Sequence, residues 1–242
     1  MTTFGTLYFI PVTLNDKNLG DENINQVLPP EVVQLTHSIE EFIVENEKTA
    51  RHFLGLFKHP KPIREITFKT LNEHTLDKDL PALLTSLMAG KNVGLMSEAG
   101  CPGIADPGAK IAALAHQKGI RVAPLVGPSS ILLSLMASGL NGQRFTFLGY
   151  IPSDKSARIN QLKDIEKRSK NLNETQIFIE TPYRNTHLLE DILRECHGET
   201  KLCIACNISL SDELIKTKRI KEWKNAPLPD LHKKPTVFLL LA

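Results

Sequence analysis

Three segments of this chain concentrate the residue types that grip small polar molecules. The first, Met96-Ser-Glu-Ala-Gly-Cys-Pro-Gly-Ile-Ala-Asp-Pro-Gly108, packs three glycines, two prolines and two acids behind an apolar, strand-like run. Glycine allows positive φ and close main-chain approach, while proline stiffens the loop, so backbone N–H and C=O groups are free to hold a ligand. A tight strand-to-helix turn with no ligand would use the same residues. The second segment, Val126-Gly-Pro-Ser-Ser130, opens a helix whose free N–H groups and serine hydroxyls suit a carboxylate or similar group, or form an ordinary cap. The third, Phe178-Ile-Glu-Thr-Pro-Tyr-Arg184, brings an acid, a hydroxyl, an aromatic ring and a guanidinium out of one strand end. A plain salt bridge between Glu180 and Arg184 is its simpler reading.

Other signals are weaker. Cys203-Ile-Ala-Cys206 has the spacing of half a metal site, but no second pair follows and its flanks are strand-like, so no metal is expected. The basic run Lys216-Thr-Lys-Arg-Ile-Lys221 with Trp223 suits phosphates and a base; it equally suits an exposed strand edge kept soluble by lysines. Lysine plus arginine exceeds aspartate plus glutamate by 29 − 27 = 2, which leaves the partner open.

The elements that must position these residues alternate between strand and helix. Thr6 to Ile10 is expected to be a buried strand ended by Pro11. Two helices flank a strand at Phe42 to Val44 between Pro29 and Phe57. A weak strand at Ile66 to Phe68, one amphipathic helix from Leu80 to Met88, a strand at Asn92 to Met96, a helix from Ala109 to Lys118 and a strand at Ile120 to Ala123 follow. Such alternation argues a largely parallel sheet with helices on its faces, and binding beyond the carboxyl ends of its strands. Pro124-Leu-Val-Gly-Pro128 cannot continue a helix and is taken as the boundary between domains 1–124 and 125–242. Beyond it are a helix from Ser129 to Ser138, a strand at Phe145 to Leu148, a helix from Ala157 to Lys170, and a strand at Gln176 to Ile179. A helix from Thr186 to Cys196, a strand at Leu202 to Cys206, an irregular basic segment and a strand at Thr236 to Leu241 complete the chain.

Five segments in register carry a resemblance. Gly5-Thr-Leu-Tyr-Phe-Ile-Pro11, Ser97-Glu-Ala-Gly-Cys-Pro102 with Asp106-Pro-Gly108, Pro124-Leu-Val-Gly-Pro128, Gly149-Tyr-Ile-Pro152 and Glu180-Thr-Pro-Tyr-Arg184 resemble the tetrapyrrole methylase superfamily. The likeness is strongest to its branch that methylates a ribose 2′-hydroxyl of small-subunit ribosomal RNA. That resemblance implies an α/β two-domain fold with a mostly parallel N-terminal sheet and a mixed C-terminal sheet. It further implies S-adenosylmethionine in the cleft between the domains, the acceptor on the N-terminal side, and a homodimer. Carried over by position, the donor contacts are Pro11, Ala99, Gly100, Cys101, Ile104, Ser129, Ser130, Glu180, Thr181, Ala205, Cys206, Asn207, Pro235, Thr236 and Val237. A branched side chain at Gly100 is expected to block the donor while sparing the fold. No Gly-x-Gly-x-x-Gly fingerprint follows the first strand.

Two departures bear on the acceptor. Val12 to Pro30 replaces the glycine-rich loop that lines the acceptor side in relatives, and Val44-Glu-Asn-Glu-Lys48 stands where the ribosomal branch has Ala-Glu-Asp-Thr-Arg. Methyl transfer from a sulfonium is an in-line displacement that needs no metal, so alignment and exclusion of water carry it. A ribose hydroxyl is a poor nucleophile and calls for a base or a polarising cation, with Glu45, Lys48, Glu98, Glu180 and Arg184 as the candidates.

The expected protein is therefore a methyltransferase acting on RNA. A methylase of a small molecule such as a tetrapyrrole, and a donor-binding protein without catalysis, are the alternatives. At 242 residues, with 41% hydrophobic and 23% charged residues, the chain can bury a real core. Its start lacks a signal-peptide pattern and its apolar stretches fall far short of the roughly 20 residues that span a bilayer. A cytoplasmic protein with four reduced cysteines is expected.

Overall fold

The computed structural model describes residues 3–14 and 27–242, which fall into two compact units, Met1–Ser129 and Ser130–Ala242. The first unit holds strands β1 (Thr6–Phe9), β2 (Glu41–Val44), β3 (Thr67–Thr70), β4 (Val93–Met96) and β5 (Arg121–Pro124). They form one sheet in the order β3-β2-β4-β1-β5, parallel at every pairing. Side chains alternate across its faces as the period of two requires. Leu7, Phe9, Ile43, Val93 and Leu95 point one way, onto helices α3 (Leu80–Leu83), α4 (Thr85–Met88) and α5 (Gly108–Gln117). Ile10, Phe42, Val44 and Met96 point the other way, onto α1 (Pro30–His37) and α2 (Glu47–Leu56). All four residues of β4 are buried, as a central strand covered on both faces must be.

The single helix expected from Leu80 to Met88 is in fact two. Leu84 N–H bonds the Pro81 carbonyl three residues back rather than the residue four back, and the tightened turn at φ −93°, ψ 0° separates α3 from α4. Both halves still bury leucines on the same side, so the apolar pattern of one helix survives the break.

The second unit holds β6 (Phe145–Tyr150), β7 (Thr175–Ile179), β8 (Lys201–Cys206), β9 (Leu214–Arg219) and β10 (Thr236–Leu241) in the order β6-β7-β10-β8-β9. Only β6 and β7 pair in parallel, and the remaining pairings are antiparallel. The basic segment, placed as irregular in the element pattern, takes its alternative reading of an exposed strand edge: it is β9, followed by the short helix α9 (Ile220–Lys224). Its lysines stand on an edge, where charge discourages pairing with another chain. Helix α6 (Ser130–Ser138) packs on β8, β9 and β10.

Helix α7 (Lys155–Leu172) starts where the Asp154 carboxylate accepts the Ala157 N–H at 2.8 Å and stops at Asn173, which takes the left-handed conformation. It buries Arg158, Leu162, Ile165 and Ser169, one stripe at helical spacing. Helix α8 (Asn185–Glu195) supplies the partner for that arginine. Arg158 Nε donates to Asp191 Oδ2 at 2.7 Å, and its Nη1 donates to the Ser153 carbonyl at 2.8 Å, so the loop after β6 is tied to both helices. Burial alone would raise the Asp191 pKa, but Arg158 and Arg194 outweigh it and hold the carboxyl below its ordinary value.

Removing one member of a buried ion pair strands the other charge. Asp191→Ala should therefore lower stability by about 3–5 kcal/mol in urea denaturation, whereas the double replacement Arg158→Met with Asp191→Leu should cost clearly less. Equal losses in the two variants would mean that the pair acts through packing alone.

Candidate functional site

Because the first sheet is parallel, the carboxyl ends of β1, β2, β4 and β5 lie along one edge, and the segments leaving them crowd together there. Val12 N–H donates to the Gly100 carbonyl at 2.9 Å, joining the segment after β1 to the long loop after β4. Gly100 is buried at φ +70°, and an added Cβ would lie 3.1 Å from Leu14 Cδ2 and 3.2 Å from the Pro128 carbonyl oxygen. Any side chain there strains the loop itself, so a substitution at Gly100 does not spare the local fold as expected. Gly127 meets Pro11 more closely still: a Cβ would sit 2.2 Å from the proline ring. The Cys101 thiol donates to the Pro128 carbonyl at 3.3 Å, and burial pushes its pKa up, so it is a packing group rather than a nucleophile. Ala99 and Ile104 are exposed, Pro11 is buried, and Ser129 is half-buried at the end of the unit.

Three acids meet in this loop region. Asp106 accepts the N–H groups of Gly103 and Gly108, the latter at 2.7 Å, which closes the glycine-rich turn. Burial nevertheless raises its pKa. Glu45, one residue past β2, is also raised, first by burial and then by the Glu98 and Asp106 carboxylates, although its carboxyl accepts the Glu98 N–H. Glu98 accepts the Thr49 hydroxyl at 3.3 Å. A cavity of about 170 Å³ opens beside them, lined by Val12, Thr13, Thr49, His52, Phe53, Ser97 and Glu98 among others. Lys48 is exposed in the first turn of α2, whose N-cap is Asn46, the acceptor for Lys48 N–H at 2.9 Å.

In the second unit the sheet brings the remaining candidates to one end. β7 ends at Ile179 opposite Val237, and β8 ends at Cys206 opposite Thr236, so Glu180, Thr181, Ala205, Cys206, Asn207, Pro235, Thr236 and Val237 form a single row. Asn207 N–H donates to the Pro235 carbonyl at 3.0 Å, and its side-chain amide donates to Asp212 at 2.8 Å. Ser130 is half-buried as the first residue of α6. The Glu180 carboxylate is fully buried and meets Arg184 through two bonds, Nε to Oε1 at 2.6 Å and Nη2 to Oε2 at 2.9 Å. It also accepts the Thr181 N–H. Burial opposes ionisation here, but these bonds prevail and hold Glu180 below the usual carboxylate range. Cys203 and Cys206 are buried in β8 with their thiols pushed up by burial.

Ribosomal RNA small subunit methyltransferase I of Vibrio cholerae is 30% identical over 235 residues, covering 97% of this chain and 76% of the relative. The chain belongs to that methyltransferase family. Proteins of the same name from Pseudomonas aeruginosa and Escherichia coli O157:H7 are 29% and 32% identical, over 94% and 88% of this chain and 72% and 66% of their own lengths. No family model matches the sequence. Among solved structures, diphthine synthase superposes with a TM-score of 0.67 at 15% identity over 98% of this chain and 89% of that one. The methyltransferase CobJ gives 0.62 at 16% over 98% and 93%. These likenesses establish the tetrapyrrole methylase fold, with its parallel first sheet and mixed second sheet.

In this member of the ribosomal RNA small subunit methyltransferase I family, several residues that are not site candidates by sequence stand around the acids. Asp106 is visible in the sequence only as part of a loop motif, yet its carboxylate organises that loop. Thr13, Thr49, His52 and Ser97 line the cavity; Thr49 follows Glu45 by four positions across a helix cap, the one local signal that could have found it. Part of the departing stretch from Val12 to Pro30, residues 15–26, lies outside the described residues. Among the described residues no group of three or more histidine, cysteine or acidic side chains is arranged to hold a metal.

The acids make a checkable prediction about pH. A carboxyl whose folded pKa is raised favours the folded state fully below its unfolded value of about 4.3 and loses that contribution as pH rises through the folded pKa. Glu45→Gln removes the cost of ionising that group near neutrality. Its melting temperature should exceed the wild type's at pH 7, and the advantage should vanish as pH falls below about 4. A constant difference across that range would show that Glu45 is not destabilised by its surroundings.

Proposed function

We propose that this protein transfers the methyl group of S-adenosylmethionine to a ribose 2′-hydroxyl of small-subunit ribosomal RNA. The observation that carries the reading is the 30% identity to a ribosomal RNA small subunit methyltransferase I over 97% of the chain. The reading includes a homodimer acting in the cytoplasm. Each unit has its own donor-binding candidates. In the first, the loop from Ser97 to Gly108 and the Pro11 and Gly100 backbone are pinned by tight glycine contacts, a backbone surface suited to a polar small molecule. In the second, Thr181, Asn207 and Pro235 to Val237 present main-chain groups in one row beside the turn that the buried Glu180 carboxylate holds.

The sulfonium methyl is electrophilic without further activation, so this chain's residues have to align the hydroxyl, exclude water and accept a proton. Of the five candidates, Glu45 suits the last role. Its raised pKa brings a carboxylate towards the basicity that a proton acceptor needs, and it stands beside the cavity residues Ser97 and Glu98. Glu180 and Arg184 are committed to each other and serve to hold the turn after β7.

The test is tritium transfer from labelled donor into small ribosomal subunits, naked ribosomal RNA and a tetrapyrrole mixture, each at two salt concentrations. Label is expected in RNA or subunits, with transfer falling steeply between about 50 and 200 mM salt as phosphate contacts release counterions. Label only in tetrapyrroles with a flat salt response would favour a small-molecule acceptor. Calorimetry should show donor binding in the wild type and in Glu45→Gln, while Glu45→Gln should lower kcat by about 100-fold or more. Unchanged kcat would remove Glu45 from the chemistry.

A further inference from the structure

The turn after β7 carries an aromatic ring that the fold holds out to solvent. Tyr183 is 67% exposed, although it sits between Glu180 and Arg184, whose pairing through the buried Glu180 carboxylate fixes the turn. The segment from Asp230 to Pro235 is docked on the same turn by two bonds. Lys233 N–H donates to the Pro182 carbonyl at 3.1 Å, and the buried Asn185 amide donates to the Lys234 carbonyl at 2.8 Å. To make the first of these, Lys233 adopts φ +59°, an uncommon conformation for a residue with a side chain. The result is that His232 and Lys233 flank the ring. The His232 ring stands at 82° to Tyr183 with centroids 6.4 Å apart, and Lys233 Nζ lies 5.7 Å from the ring centroid. Tyr150, 59% exposed, ends β6 at the same end of the sheet, where it pairs with Ile179.

An exposed tyrosine contributes little to stability, yet a buried carboxylate, a guanidinium, an asparagine and a strained lysine backbone fix its position. Aromatic faces with cations beside them are what an unpaired nucleobase and its phosphates recognise. The ring is also two residues from Thr181, which belongs to the row proposed above for the donor. Resting on the RNA acceptor reading, we infer that Tyr183, framed by His232 and Lys233, is the stacking platform for an unpaired base of the RNA substrate. A hydroxyl buried in a helical stem is poorly accessible, so a nucleotide drawn out and stacked on protein gives the reaction its alignment.

The experiment compares wild type, Tyr183→Phe and Tyr183→Ala. Loss of one base stack costs about 1–3 kcal/mol, so Tyr183→Ala should raise the KM for small-subunit RNA by about 5- to 150-fold. Tyr183→Phe, which keeps the ring, should stay within about twofold of wild type. Donor affinity by calorimetry and the melting temperature should be unchanged in both. A single-stranded RNA containing the fluorescent base 2-aminopurine should be quenched by wild type and Tyr183→Phe and not by Tyr183→Ala. Wild-type KM and quenching in Tyr183→Ala would overturn the platform while leaving the RNA acceptor standing. Tyrosine-dependent quenching by a protein that methylates no RNA would support the platform and overturn the acceptor reading instead.

Discussion

Parallel pairing of β1 with both β4 and β5 is the constraint on which the first unit depends. It places the carboxyl ends of neighbouring strands on one edge, and each strand must then leave through a loop whose backbone polar groups have lost their ladder partners. Some of those groups bond one another, as Val12 does with Gly100. Others are satisfied by Asp106, which closes the turn between Gly103 and Gly108. What is left is a stiff surface of main-chain groups beside a cavity. The glycines are needed because the loops pass too close to one another for a Cβ, which would lie 2.2 Å from Pro11 if Gly127 carried one.

The second unit reaches a comparable end by different means. Its sheet is mostly antiparallel, so strand ends and strand beginnings alternate along the edge, and a β7 end, a β8 end and a β10 beginning become neighbours. Short backbone bonds such as Asn207 to Pro235 fix their spacing. The turn after β7 is held by a buried carboxylate rather than by glycine. Replacing Glu180 would leave the Arg184 guanidinium and the Thr181 N–H without their acceptor, so this turn is specified by charge where the first unit's loop is specified by shape.

Legibility in the sequence followed the same division. Apolar alternation and glycine or proline punctuation report the strands and the loops between them, and most strands lie where the pattern puts them. The break at Leu84 was hidden because a tightened turn preserves the apolar face, which is all that periodicity reads. Strand β9 was legible only as an alternative reading of the basic run, because its residues are those of a solvated edge, with lysines where a central strand would have valine or isoleucine. The motif loops were legible as loops, but the role of Asp106 depends on which N–H groups face it, a three-dimensional fact without a sequence spacing. Tyr183 was legible as a member of a motif; its exposure and its neighbours His232 and Lys233, some fifty positions on, were not.

Two glutamates show how one chemical group is set to opposite tasks by its surroundings. Glu180 is the more completely buried, and burial alone would drive it to the neutral form. It stays ionised because a bidentate arginine and a backbone N–H together exceed the cost of leaving water. Glu45 is less buried but faces the carboxylates of Glu98 and Asp106, with one backbone donor to offset them, so its proton is held more tightly. The first arrangement removes a carboxylate from proton chemistry and makes it a structural fixture. The second raises the affinity of a carboxyl for its proton at the cost of local stability, the direction that would suit the role proposed for Glu45. A stabilised Glu45 would be a poorer base, and a destabilised Glu180 would free the turn that carries Tyr183. The same side chain at the two positions therefore cannot be judged by its type or by its burial alone; the sign of the charge it faces decides what it can do.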